Sequence, residues 1–124
     1  MRIFKTKVFA RFARNQRIRD RDLCEVVERT GEGLIDADLG GGVIKQRLAR
    51  PGQGRSGGFR VLFAFRPQDR AVFIYGFAKN EPDNIDDKEL KTLREIAAAW
   101  LAASPQNIER EVTDGRLQEV RDDH

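Results

Sequence analysis

Lys45 and Arg47 stand two residues apart in VIKQRLAR, and Arg60 follows in FRVLFAFR. Residues 40–66 hold six cations, Lys45, Arg47, Arg50, Arg55, Arg60 and Arg66, and no acid. If both stretches are strands, alternate residues share a face. Lys45 and Arg47 then project side by side, and Arg60 can stand beside them on the next strand. Lys79 ends the apolar run AVFIYGFAK that comes after. Arginine presents a planar fork suited to phosphate oxygens, and lysine a mobile point charge. Like charges crowded together also disfavour a lysine's proton, which suits it to proton transfer. Taken alone, the pattern speaks for binding a polyanion. The plainer account of Arg47 or Arg66 is surface charge on an edge strand, which guards against aggregation.

Other chemistries lack their residues. The single His is the terminal His124 and the single Cys is Cys24, so Ser/His/Asp and Cys/His catalysis have no histidine to use. Carboxylate pairs at Asp36/Asp38 or Asp86/Asp87 are the remaining metal candidates. Asp36 reads better as part of a turn and Asp86 as a helix cap, so no metal or other cofactor is expected. The GGG and GQGRSGG segments lack the Lys-Ser/Thr that opens the helix of a phosphate-binding loop, and they read as turns. One cysteine permits no disulfide framework, which fits a reducing cytosol. The N-terminus MRIFKTKVFARFARNQ has no apolar run for a signal or a membrane span, so a cytoplasmic protein is expected.

The net charge of +3 conceals segregation. Residues 1–21 carry eight Lys/Arg against Asp20, and residues 45–79 carry eight against Asp69. Residues 22–44 carry Arg29 against six acids, and residues 80–124 carry six bases against twelve acids. Blocks that fold locally would give one positive and one negative face, as a polyanion-binding protein requires.

The elements that must position these residues can be read from periodicity. Ile3–Val8 reads as a short strand, and Phe9, Phe12 and Ala13 have helical spacing. Asp22 with Glu25 forms a capping-box pattern before a helix that stops near the Gly31/Gly33 pair. GLIDADLGGG is a turn-rich connector, Val43–Arg50 a strand, and Pro51–Gly58 a loop. Phe59–Arg66 and Ala71–Lys79 form a hairpin about Pro67-Gln68-Asp69-Arg70. Its second strand is apolar on both faces, which places it mid-sheet. Asp86 with Glu89 caps an amphipathic helix carrying Leu90, Leu93, Ile96, Ala97, Trp100 and Leu101. A short helix over residues 105–113 and a last strand or ordered tail at Arg116–Val120 complete an α+β domain.

GLIDADLGGGVIKQRLARPGQGRSGGFRVLFAF, followed by YGFAKNEPDNIDDKELKTLREIA, resembles the RelE/HigB family of bacterial toxin components, in particular its phage-derived, HigB-like branch. The resemblance covers residues 4–101, with SGGFR and GFAKN specific in combination. It implies a single domain over residues 1–124, with residues 104–124 as a C-terminal extension. The implied fold is a small antiparallel sheet of about four strands packed by N-terminal and C-terminal helices. It implies a metal-free, ribosome-dependent endoribonuclease in which the ribose 2′-hydroxyl attacks the adjacent phosphate. Carried over by position, Lys45, Arg47, Arg60 and Lys79 are the catalytic cations, with Arg50, Arg55, Arg66 and Tyr75 as RNA contacts. Many members carry a Tyr or His near the C-terminal helix, where this chain has Asn80 and acids; Tyr75 is its sole Tyr. Lys45 is therefore the expected general base. The implied partners are a cognate antitoxin with a helix-turn-helix domain, the ribosome and mRNA, with no membrane. The alternative is a non-catalytic module that keeps the basic face and only binds RNA or the ribosome.

Overall fold

Thr6 ends the first strand by capping the first helix, since its side chain accepts a hydrogen bond from the Phe9 amide at 3.2 Å. β1 (Arg2–Thr6) therefore stops short of the expected Val8, and α1 (Lys7–Asn15) begins at once. The computed structural model describes residues 1–50, 54–78 and 85–122, the side chains of 50 and 54–57 excepted. α2 (Asp20–Gly31) starts one turn before the expected box: Asp22 is its third residue and accepts from the Arg19 amide at 2.9 Å. The helix ends beside Gly33, whose φ is +84°.

GLIDADLGGG does more than connect. β2 (Ala37–Gly40) pairs antiparallel with β3 (Val43–Arg50) about a Gly41-Gly42 turn. Both turn residues have positive φ, +63° and +85°, the backbone that a tight two-residue hairpin requires and that glycine supplies without strain. β4 (Gly54–Arg66) also begins earlier than Phe59 and shortens the expected loop. Its Ser/Gly-rich start has weak strand propensity, but ladder pairing with β3 continues to Arg50↔Gly54 and overrides it. β5 (Arg70–Ala78) follows a turn with Gln68 at φ +64°.

The sheet has six strands, in the order β2-β3-β4-β5-β1-β6, rather than four. It is mixed: β1 pairs parallel with β5, and the short β6 (Leu117–Glu119) adds antiparallel to β1. β5 is central, as its two apolar faces require. Helices cover both sides. On one, α1 and α2 pack over Phe59, Val61, Phe63 and Phe73. On the other, α3 (Asp87–Ala102) lies over Val43, Ala64, Val72 and Ile74, and α4 (Pro105–Thr113) packs by β6. Asp86 caps α3 by accepting from the Glu89 amide at 2.7 Å. At the far end, the half-turned carbonyls of Trp100 and Ala103 accept from buried Arg70 at 2.7 and 2.8 Å, pinning the helix to the sheet. Among the described residues no helix is long and apolar enough to cross a membrane.

Candidate active site

Strand parity brings three of the expected cations to one place. On β3, Val43 is buried beneath α3, so Lys45 and Arg47 lie on that same face further along the strand. On β4, Ala64 and Leu62 share the face, and Arg60 follows. Arg47 and Arg60 are direct cross-strand partners. Like charges in that relation destabilise a sheet, so something must offset them.

The offset is Asp36. It immediately precedes β2, whose Ala37 pairs with Lys45. Its carboxylate lies 3.3 Å from Arg60 Nε, 3.4 Å from Arg47 Nε and 3.8 Å from Lys45 Nζ. Side-chain exposure is 17% for Asp36, 15% for Arg60 and 19% for Lys45, against 52% for Arg47. These charges are thus mostly withdrawn from water, where their interactions are less screened. Arg60 Nη1 is buried and has no hydrogen-bond partner among the described residues. A carboxylate among three cations is a poor seat for a divalent metal, which answers the Asp36/Asp38 alternative. The sequence reads Asp36 as part of a turn, with a metal pair as the alternative, and not as a partner of the cations. The signal was present in the triple glycine: a two-residue turn there folds β2 back onto β3 and carries Asp36 to Arg47.

Tyr75 reaches this face through an irregularity. Leu62 pairs with Tyr75 but Phe63 pairs with Phe73, leaving Ile74 as an extra residue in β5. Plain alternation would put Tyr75 beside Phe73, under α1. The bulge instead turns it to the side of Leu62 and Arg60, the re-aiming for which bulges are known. Two rows result across the sheet, Lys45–Leu62–Tyr75 and Arg47–Arg60–Phe77. Tyr75 is 47% exposed and its ring lies 6.0 Å from that of Phe77. Beside it opens an apolar cleft of about 430 Å³, lined by Leu62, Ile74, Tyr75, Ile85, Leu93 and Ile96.

The remaining expected residues do not join the cluster. Arg66 ends β4, six residues or ~20 Å from Arg60. Its guanidinium donates to the Leu101 carbonyl at 2.7 Å and pairs with Asp69. Lys79 and the side chains of Arg50 and Arg55 lie outside the described residues. The first basic block is divided: Arg2, Lys5 and Arg19 are ion-paired, while Lys7, Arg11 and Arg14 are exposed on α1, across the sheet from Asp36. Cys24 offers no nucleophile, because burial, with Asp122 and Asp20 nearby, pushes its thiol pKa up.

Two guanidinium groups and a lysine on one face, with a partly exposed phenol in the adjoining row, can bind a phosphate backbone and oppose charge on it. Among the described residues no arrangement there would activate a serine or cysteine. Residues 1–120 match the family model described as the RelE toxin of the RelE / RelB toxin–antitoxin system. With that match spanning nearly the whole chain, over a helix-covered mixed sheet that gathers Lys45, Arg47 and Arg60, the protein belongs to the RelE toxin family.

Proposed function

We propose that the protein is a ribosome-dependent mRNA endonuclease of the HigB-like branch, acting in the cytoplasm without a metal. The observation that carries this reading is the convergence of Lys45, Arg47 and Arg60 on one partly buried face beside Tyr75. Membership of a toxin family implies an antitoxin partner. In this branch we expect that partner to carry a helix-turn-helix domain.

The reaction assigned to the site is an internal transfer. The 2′-oxygen bonds to phosphorus and the bond to the 5′-oxygen breaks, leaving a 2′,3′-cyclic phosphate and a 5′-hydroxyl. Lys45, in its neutral form, takes the 2′-hydroxyl proton, and the departing oxygen gains one from solvent. Arg60 and Arg47 oppose the charge that grows on the equatorial oxygens, a contact stronger in the transition state than in the ground state. The buried Nη1 of Arg60, without a protein acceptor among the described residues, is a donor suited to such an oxygen. Tyr75 provides a face on which a base can stack.

Arg60→Ala is the test. Toxicity on induction should disappear, and primer extension on a translated message should show cleavage reduced by roughly two to three orders of magnitude, the loss for one such donor. Thermal melts should show a folded protein, since Arg60 faces away from Phe59, Val61 and Phe63. Arg60→Lys should rescue poorly because a point charge cannot reproduce bidentate geometry. A folded Arg60→Ala protein as toxic as the parent would remove this site from consideration. A parent that binds ribosomes yet cuts nothing would favour the non-catalytic module.

A further inference from the structure

Asp36 has no assigned part in the chemistry above, yet it touches every cation to which that chemistry is assigned. Its mode of contact is informative. It meets both Arg47 and Arg60 at Nε, the inner edge of each guanidinium, so the Nη ends extend beyond the ion pair. An arginine held at one edge loses rotational freedom before a ligand arrives, and so loses less on binding. With Lys45 neutral as the attacking base, Asp36 offsets one of the two guanidinium charges. A phosphodiester carries one negative charge and a fully ionised phosphorane two. Asp36 thus limits the attraction for the singly charged ground state. The guanidinium ends it leaves uncovered can meet the charge that grows in the transition state, which is the condition for catalysis rather than tight binding.

We propose that Asp36 is a positioning residue of the cleavage site: it holds Arg47 and Arg60 by their Nε edges and limits the attraction of the cluster for ground-state RNA. This rests on the reading of Lys45, Arg47 and Arg60 as the cleavage site. It separates Asp36 from two other roles for an acid in such a place. A metal ligand would need its oxygens free of cations. A placeholder that merely blocks the phosphate site would raise activity when removed.

The experiment compares Asp36→Asn and Asp36→Glu with the parent in three measurements. The first is binding to a short RNA made uncleavable by 2′-deoxy substitution. The second is single-turnover cleavage of mRNA on programmed ribosomes. The third is the ¹⁵N spectrum of the arginine Nε–H groups in the free protein. Asp36→Asn should bind the uncleavable RNA roughly three- to tenfold more tightly at low salt, because one repelling charge is gone. It should nevertheless cleave about ten- to a hundredfold more slowly, the scale of a small misplacement of catalytic groups. The Nε–H signals of Arg47 and Arg60 should move and exchange faster. Asp36→Glu, which keeps the charge, should restore parent-like binding and part of the rate.

Faster cleavage by Asp36→Asn would make Asp36 a placeholder and overturn the proposal, as would an unchanged rate. Unchanged Nε–H signals in a folded Asp36→Asn protein would also overturn it, since the carboxylate would not be holding the guanidiniums. Those signals are read without substrate, so they judge the hold of Asp36 even if cleavage maps elsewhere. A fully active Arg60→Ala protein is the separate result that would move the site itself.

Discussion

Two arginine clusters in this molecule use the same residue types in opposite proportions. At the β1–β6 edge, Arg2 meets Glu109 and Glu119, Arg121 meets Glu119, and Arg116 meets Glu111 and Asp114. Acids equal or outnumber bases there, and the Arg2–Glu119 contact is a bidentate pair with both bonds at 2.9 Å. On the β3–β4 face, three cations share one carboxylate at 3.3–3.8 Å. The first cluster is neutralised and joins the C-terminal segment to β1. Among the described residues the second shows three bases around one acid, although it is more withdrawn from water. Gathering like charges in a partly buried place costs stability, and that cost is what favours the proposal that this face binds phosphate.

The contrast should be widest in activity. Arg47→Ala should lower cleavage about a hundredfold, as removal of one donor to developing charge does. Arg116→Ala removes an arginine held by two acids of its own and should leave cleavage unchanged in the same translation assay. Equal losses from both would end the distinction drawn between the clusters.

Tyr75 sharpens the comparison from the apolar side. Tyr75→Ala should weaken binding of uncleavable RNA by roughly tenfold, the lower range for one stacked base, while Tyr75→Phe stays near the parent. A large loss in Tyr75→Phe would move the role of this residue from stacking to proton transfer by its hydroxyl.

The smallest effect belongs to the neutralised cluster. The hydrogen bonds from Arg2 hold the Glu119 carboxyl below its ordinary pKa of 4.5 against an opposing effect of burial. A carboxyl with a lowered folded-state pKa adds stability above the unfolded value and loses it as pH falls through the folded one. Melting curves below about pH 4.5 should therefore show a steeper acid loss in the parent than in Glu119→Gln. The difference should be only a few tenths of a kcal/mol, because Arg2 is substantially exposed. An acid profile identical in the two proteins would show that this edge is not held by charge.

Local rules made much of this legible in the sequence. The Asp86 cap, the alternation on β4 and the two-faced apolarity of β5 each depend on neighbours within a few residues. They gave the placement of α3, the orientation of Arg60 and the central strand. The features that escaped depend on distant partners. Parallel pairing of β1 with β5 joins residues some seventy positions apart, Arg2 with Arg70 for instance, and nothing in either strand specifies it. The bulge at Ile74 reverses the facing of Tyr75, and an apolar run shows no break at that point. Asp36 looked like an ordinary turn acid because its three partners come from two other strands. The cations of the site were thus readable as residue types, whereas the carboxylate that orders them required the fold.

If the β3–β4 cations drive transfer to the 2′-oxygen, the chemistry of the RNA ends must show it. Purified parent and Arg60→Ala proteins should be added to ribosomes translating a defined message, and the 3′ and 5′ ends of the fragments determined. The parent should leave 2′,3′-cyclic phosphate and 5′-hydroxyl ends, and those fragments should be lost with folded Arg60→Ala. Fragments ending in 3′-hydroxyl and 5′-phosphate, or equal cutting by the variant, would contradict it.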